Sequence, residues 1–244
     1  SYKEAYALAT SITKRQPNHP FAWKVLGAIH SVEGNIQDAL FAHQNVVRLS
    51  PNDHEALYNL SNTLKRLGKF EDALMGYKKS IDIKPDFVEA HLNLGTVLQE
   101  IGRPEEAEVY FKKTITLKPD CVEALNNLGN ILREQQRYKG AIVNYKKALE
   151  QMPNYAEANN NLAITLQKLN RFQEAEMLFK KAIAVKPSLI DAHYNLGTLF
   201  QQLKKFSEAE TNYRNAIALN PNHANAHHNL VITLIEMDSP ESAL

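Results

Sequence analysis

Pro17, Pro51, Pro85, Pro119, Pro153, Pro187 and Pro221 follow one another at an unbroken interval of 34 residues. A single globular core has no reason to repeat a residue so evenly, whereas a stack of equal supersecondary units does. The period therefore predicts an array in which each unit contacts its neighbours and exposes a long surface instead of one deep pocket.

The unit from Pro119 to Pro153 shows what each repeat folds into. Leu125, Leu128 and Leu132 recur at spacings of three and four, which makes one face of a helix apolar. A polar corner, Gln135-Gln136-Arg137, follows, and a second helix runs through Tyr138, Ala141, Ile142, Tyr145, Ala148 and Leu149. Pro153 stops it, because proline has no amide hydrogen and clashes with the preceding turn. Gly34, Gly68, Gly102 and Asn170 occupy the corner in other units and tolerate a left-handed helix end. The residues after the prolines, Asn18, Asn52, Asp86, Asp120, Asn154, Ser188 and Asn222, are all types that cap a helix start. Each unit is then an antiparallel helix pair that cannot bury its apolar face alone.

Further columns share the register, counted from the third residue after each proline. Position seven is Leu26, Leu60, Leu94, Leu128, Leu162, Leu196 and Leu230; position eight is small at Gly27, Ser61, Gly95, Gly129, Ala163 and Gly197. Position twenty is alanine from Ala39 to Ala243, and position twenty-four is aromatic at Tyr77, Phe111, Tyr145, Phe179 and Tyr213, with His43 in the first full unit. This pattern resembles the tetratricopeptide repeat, W-x2-L-G-x2-Y then A-x3-F then P, and Trp23, Leu26 and Gly27 match its opening most literally. The resemblance covers essentially the whole chain. It implies an all-α fold, a right-handed α-solenoid superhelix of antiparallel helix pairs. The divisions read as a lone second helix at 1–19, full repeats at 20–53, 54–87, 88–121, 122–155, 156–189 and 190–223, and a partial repeat at 224–244. The partial repeats at both ends read as a fragment, with an apolar stripe at Phe21, Val25, Ala28 and Val32 and another at Val231, Leu234 and Leu244; self-association through these ends is expected.

Composition excludes several functions. Lysine and arginine balance aspartate and glutamate to a net charge of +1, so no strong field recruits nucleic acid or an anionic membrane. No apolar run approaches the roughly 18 residues that a membrane helix needs. The single cysteine, Cys121, excludes an internal disulfide and fits a reducing compartment, cytoplasmic or, in a eukaryote, nuclear. There is no phosphate loop, H-E-x-x-H or C-x-x-C. His223 and His227 could share a helix face, but position four is also His91 and His193, which marks a packing position and not a metal site. No catalytic residue, metal or cofactor is expected within the chain.

One column points to binding. Position six is Asn59, Asn93, Asn127, Asn161, Asn195 and Asn229, with Val25 in the first full unit. Asparagine is a mediocre helix former, so its recurrence in mid-helix needs a reason. Either each amide bonds the neighbouring repeat and sets the stack, or each offers a donor and an acceptor to the backbone of a bound peptide. Positions two, nine and thirteen share the stripe; Asn62 and Asn130 at position nine, with Tyr58, Asn126, Asn160 and Tyr194 at position five, extend it. Position two is acidic at Glu55, Glu89, Glu123, Glu157 and Asp191, as the first turn of any helix favours. Chaperone-binding members of the family hold a C-terminal carboxylate with cations at positions two, five and six; here only Lys24 fits. The asparagine ladder instead is similar to the superhelical arm of O-linked N-acetylglucosamine transferases, where inward asparagines grip substrate backbones. That resemblance implies a scaffold for a protein or an extended peptide. Two alternatives stand beside it: the substrate-recruiting arm of a larger glycosyltransferase, and a self-assembling array.

Overall fold

The computed structural model describes residues 2–238. The chain divides into two compact units, Ser1–Pro119 and Asp120–Leu244, and every regular element described in them is an α-helix. In the first unit α1 (Tyr2–Arg15) precedes three pairs: α2 (Pro20–Glu33) with α3 (Ile36–Leu49), α4 (His54–Arg66) with α5 (Phe70–Ile83), and α6 (Val88–Glu100) with α7 (Pro104–Leu117). The second holds α8 (Val122–Glu134) with α9 (Tyr138–Gln151), α10 (Ala156–Lys168) with α11 (Phe172–Val185), α12 (Ile190–Gln202) with α13 (Phe206–Leu219), and then α14 (Ala224–Asp238). The fold class is thus the all-α helical repeat. Within each unit a helix packs on its partner and on the next pair, and first helices of successive pairs also touch, α4 on α6, α8 on α10, α10 on α12 and α12 on α14.

The recurrent prolines build turns and do not precede helix caps. The N–H groups of His19, Asp53, Phe87, Tyr155, Leu189 and His223 donate to the carbonyl three residues back, at 2.9–3.1 Å. Each proline is therefore the second residue of a β-turn, where its fixed φ belongs. This corrects the reading of Asn18, Asn52, Asp86, Asp120, Asn154, Ser188 and Asn222 as caps. They are the third residues of these turns, and the N-caps from α2 to α12 fall one residue later, at His19, Asp53, Phe87, Cys121, Tyr155 and Leu189. Among those six only His19 and Asp53 cap with a side chain, Asp53 Oδ1 accepting from Glu55 and Ala56 at 3.0 and 3.1 Å.

The corners share one geometry with different residues. Gly34, Gly68 and Gly102 have φ of 79°, 71° and 75°, and Gln136, Asn170 and Lys204 take the same left-handed conformation at 59°, 57° and 58°. The following N–H returns to the carbonyl five residues back, as from Arg137 to Leu132 at 2.7 Å and from Lys205 to Phe200 at 2.8 Å. This is the Schellman closure, which satisfies carbonyls that the helix end would otherwise leave open.

Position eight packs directly on position twenty-four. Tyr77, Phe111, Tyr145, Phe179 and Tyr213 are fully buried, as are the alanines at position twenty from Ala39 to Ala209. A β-carbon placed on Gly129 would lie 2.5 Å from the Tyr145 ring, on Gly95 2.8 Å from Phe111, and on Gly197 2.7 Å from Tyr213. Glycine at these sites lets the first helix rest on the face of the ring. That close approach holds each pair together, and the pairs in turn carry the polar stripe of the first helices.

Candidate functional site

The asparagine column is wired from repeat to repeat. Asn93 Nδ2 donates to Tyr58 Oη at 3.0 Å and to Asn62 Oδ1 at 2.9 Å. Asn161 donates to Asn126 Oδ1 at 3.0 Å, Asn195 to Asn160 Oδ1 at 3.1 Å, and Asn229 to Tyr194 Oη at 3.2 Å and Tyr213 Oη at 3.4 Å. In each case the residue 35 positions back, at position five of the previous repeat, is an acceptor. Where position five cannot accept, the bond is missing. Lys24 precedes Asn59, and among the described residues the Asn59 side chain has no hydrogen bond. In the first helix of the second unit, Asn127 Oδ1 takes a long, 3.4 Å contact from Asn126.

The aromatic column supports the stripe from below. Tyr77 Oη donates to Asn62 Oδ1 at 2.6 Å, Tyr145 Oη to Asn130 Oδ1 at 2.8 Å, and Tyr213 Oη to Gln201 Oε1 at 2.7 Å. Burial raises all three phenols, Tyr145 and Tyr213 to about 12, so each stays a protonated donor at any physiological pH. Asn59 is exposed; Tyr58, Asn62, Asn93, Asn127, Asn130, Asn161, Tyr194, Asn195 and Asn229 are half-buried. Asn126 and Asn160 are buried and serve as acceptors between repeats. After these bonds are counted, the Oδ1 atoms of Asn93, Asn195 and Asn229 carry no partner among the described residues. The stripe offers oriented acceptors, and Glu55, Glu89, Glu123 and Asp191 lie exposed in its acidic column. Glu157, in the same column, pairs with Lys186 at 2.7 Å, which holds its carboxyl below the usual range.

Two features escape the sequence pattern. Position four reaches back to the proline carbonyl: Trp23 Nε1 donates to Pro17 at 2.8 Å, and the Nε2 atoms of His91, His193 and His227 pair with Pro85, Pro187 and Pro221 at 2.9–3.0 Å. A carbonyl only accepts, so each Nε2 carries the proton. The unrelated residues at position four hid this shared role. No group of three or more histidine, cysteine or carboxylate side chains among the described residues could hold a metal.

The second feature is His43, which stands where the other full repeats have a ring of Tyr or Phe. Thr63 Oγ1 gives its proton to the Asn59 carbonyl at 3.1 Å, so His43 Nδ1–H donates to Thr63 Oγ1 at 2.9 Å. Burial lowers the imidazole from 6.5 to about 4. The unfolded chain thus takes up a proton near pH 6.5 that the folded chain refuses until about pH 4. Stability is present above the higher value and is lost as pH falls across this window, by an amount on the order of 3 kcal/mol. Urea midpoints between pH 7 and pH 4 should fall more steeply for the native chain than for His43→Phe; parallel profiles would refute the assignment.

Apolar side chains stand exposed at both ends of the described chain. Phe21 and Val32 are 67% and 72% exposed, and Val231 and Ile235 are 56% and 65% exposed. Leu244 and Ala243, which the sequence pattern includes in the last repeat, lie outside the described residues. Among the described residues no helix is long and apolar enough to cross a membrane.

Stacked antiparallel pairs with a polar stripe on their first helices define a helical-repeat protein of the class that displays a binding surface. Family models for the tetratricopeptide repeat match residues 44–75, 61–102, 88–121, 120–188 and 190–223, and the chain belongs to that family. Comparison with curated proteins found no match. Among solved structures the fold is similar to the APC/C hetero-tetramer Cut9–Hcn1, at 18% identity and a TM-score of 0.81 over 96% of this chain; this chain spans less than half, 46%, of the matched chain. It is also similar to YrrB, described as a TPR protein with an unusual peptide-binding site, at 24% identity and a TM-score of 0.62 over 77% of this chain and 96% of that one. A third similar structure is MamA, at 24% identity and a TM-score of 0.60 over 70% and 93%. At these identities the likeness establishes the fold.

Proposed function

We propose that the chain is a non-enzymatic scaffold that holds an extended segment of a partner protein along the asparagine stripe of its first helices. The observation that carries this reading is the column itself: the amides of Asn93, Asn161, Asn195 and Asn229 are fixed by the preceding repeat, and the carbonyl oxygens of Asn93, Asn195 and Asn229 remain without a partner among the described residues. An acceptor already held in place loses little freedom when it binds, so a backbone N–H of the partner gains most of the bond. Structural and binding roles therefore coexist in one side chain, with Nδ2 serving the stack and Oδ1 serving the partner. Backbone contacts tolerate many sequences, since every peptide presents the same amides. YrrB, similar in fold, is described by its peptide-binding site, which is consistent with this use of the fold.

Selection of a random twelve-residue peptide library against the full chain tests the proposal. Recovered peptides should bind saturably, share no strict side-chain motif, and compete with one another for each unit. A library that yields no binder would overturn it.

A further inference from the structure

On the side of α12 away from the stripe, a groove of about 450 Å3 lies between α11 and α13. His193, Leu196 and Phe200 of α12 form its floor. His193 and Phe200 each stand two residues from a stripe position, Asn195 and Thr198, which on a helix means the opposite face. Ala184 lines one wall and Asn212 the other. Three repeats earlier, His91, Asp82, Glu106 and Tyr110 hold the places of His193, Ala184, Glu208 and Asn212. There the chain supplies its own occupant. The rings of Tyr110 and His91 have centroids 6.0 Å apart and planes at 33°, within the range of a favourable ring pair. Burial, and after it the charges of Glu106 and Asp82, raises the Tyr110 phenol, so the ring is seated among those same neighbours.

His91 and His193 are held alike. Each gives its Nε2 proton to a proline carbonyl, at 2.9 and 3.0 Å, and each leaves a buried Nδ1 without a partner among the described residues. What differs is the side chain opposite. Asn212 carries no ring and donates its amide back along its own helix, to the Glu208 carbonyl at 2.8 Å, and the groove stays open. Phe200, where the third full repeat has Leu98, adds aromatic surface to the floor. The charges around the groove balance. Lys180 and Lys205 stand over the Phe200 ring, at 5.9 and 5.6 Å from its centre, and share the Glu176 carboxylate at 2.6 and 3.9 Å. Glu208 lies exposed on the rim as a further acceptor. An apolar floor with a carboxylate at its edge suits a neutral aromatic ring that bears a hydroxyl, and it opposes a phosphate.

We infer that the groove between α11 and α13 is a receptor for a tyrosine side chain of a partner protein, seated as Tyr110 is seated in the third full repeat. It lies on the face of α12 opposite the asparagine stripe and does not rest on the peptide-binding reading. The sixth full repeat therefore presents two separate surfaces, one that tolerates sequence and one that selects a residue.

A nitrogen-15 NMR titration of the full chain with N-acetyltyrosinamide, and separately with its leucine, phenylalanine and phosphotyrosine analogues, tests it. The tyrosine probe should shift the side-chain amides of Asn212 and Asn215 saturably. It should bind about tenfold more tightly than the leucine analogue, for the ring, and about fivefold more tightly than the phenylalanine analogue, for the hydroxyl. Asn212→Tyr should plug the groove from within, so that the probe no longer binds while the urea midpoint stays level or rises. Tyr110→Asn should open the earlier groove, and this variant should take up a second equivalent of the probe. The absence of a saturable shift at Asn212, equal binding of the leucine analogue, or no second equivalent with Tyr110→Asn would overturn the receptor. So would an Asn212→Tyr chain that binds undiminished or unfolds earlier than the native one. Equal binding of the phenylalanine analogue, or tighter binding of the phosphotyrosine analogue, would overturn the assignment to tyrosine.

Discussion

Tyr145→Ala should lower the unfolding free energy by about 3–5 kcal/mol, the range for deleting a fully buried aromatic ring. The ring is completely enclosed and lies against Gly129, which has no side chain with which to fill the space it would leave. The same change strips Asn130 of the hydroxyl that bonds it at 2.8 Å, so a polar group of the stripe loses its support as well. Val143→Ala, at a residue 51% exposed on the same helix, should change stability by no more than about 0.5 kcal/mol. Urea unfolding of the two variants reads the difference directly. Equal shifts would mean that the ring column does not hold the helix pairs together.

The second large effect concerns the stripe. Changing Asn93, Asn127, Asn161 and Asn195 together to alanine removes four amides from the partner's path. At about 1 kcal/mol for each lost hydrogen bond, binding of a selected peptide should weaken by about 4 kcal/mol, roughly a thousandfold. Asn93, Asn161 and Asn195 also bond the preceding repeat, so the variant should unfold earlier than the native chain. Helical content measured well below the unfolding transition should nevertheless match. Native-like affinity in a folded quadruple variant would assign the asparagines to the stack alone.

These two effects mark what the sequence made legible. The spacing of the prolines and the alternation of leucine, glycine, alanine and aromatic columns placed helix pairs in register, because burial imposes one residue type on each layer of a stack. Local geometry was less visible. Gln136 and Lys204 adopt the left-handed corner although neither is glycine, since the Schellman closure and the packing on either side impose it. Asn18 and its equivalents carry the residue types of helix caps, yet the proline before them draws them into a turn, where the same types are also favoured. In the stripe, the column of asparagines was plain, but its pairing with position five was not. That pairing needs the three-dimensional offset between neighbouring first helices, and its only sequence trace is that Tyr58, Asn126, Asn160 and Tyr194 each stand 35 residues before an asparagine.

In the proposed scaffold the stripe reads the backbone of an extended partner. A peptide recovered by selection against the full chain, resynthesised with each backbone nitrogen methylated in turn, tests it most directly. Methylation removes one N–H donor and leaves the side chains in place. Methylation at amides spaced along the peptide should weaken binding by about tenfold each, whereas alanine substitution of most side chains should have little effect. Indifference to methylation together with strong dependence on side chains would contradict it.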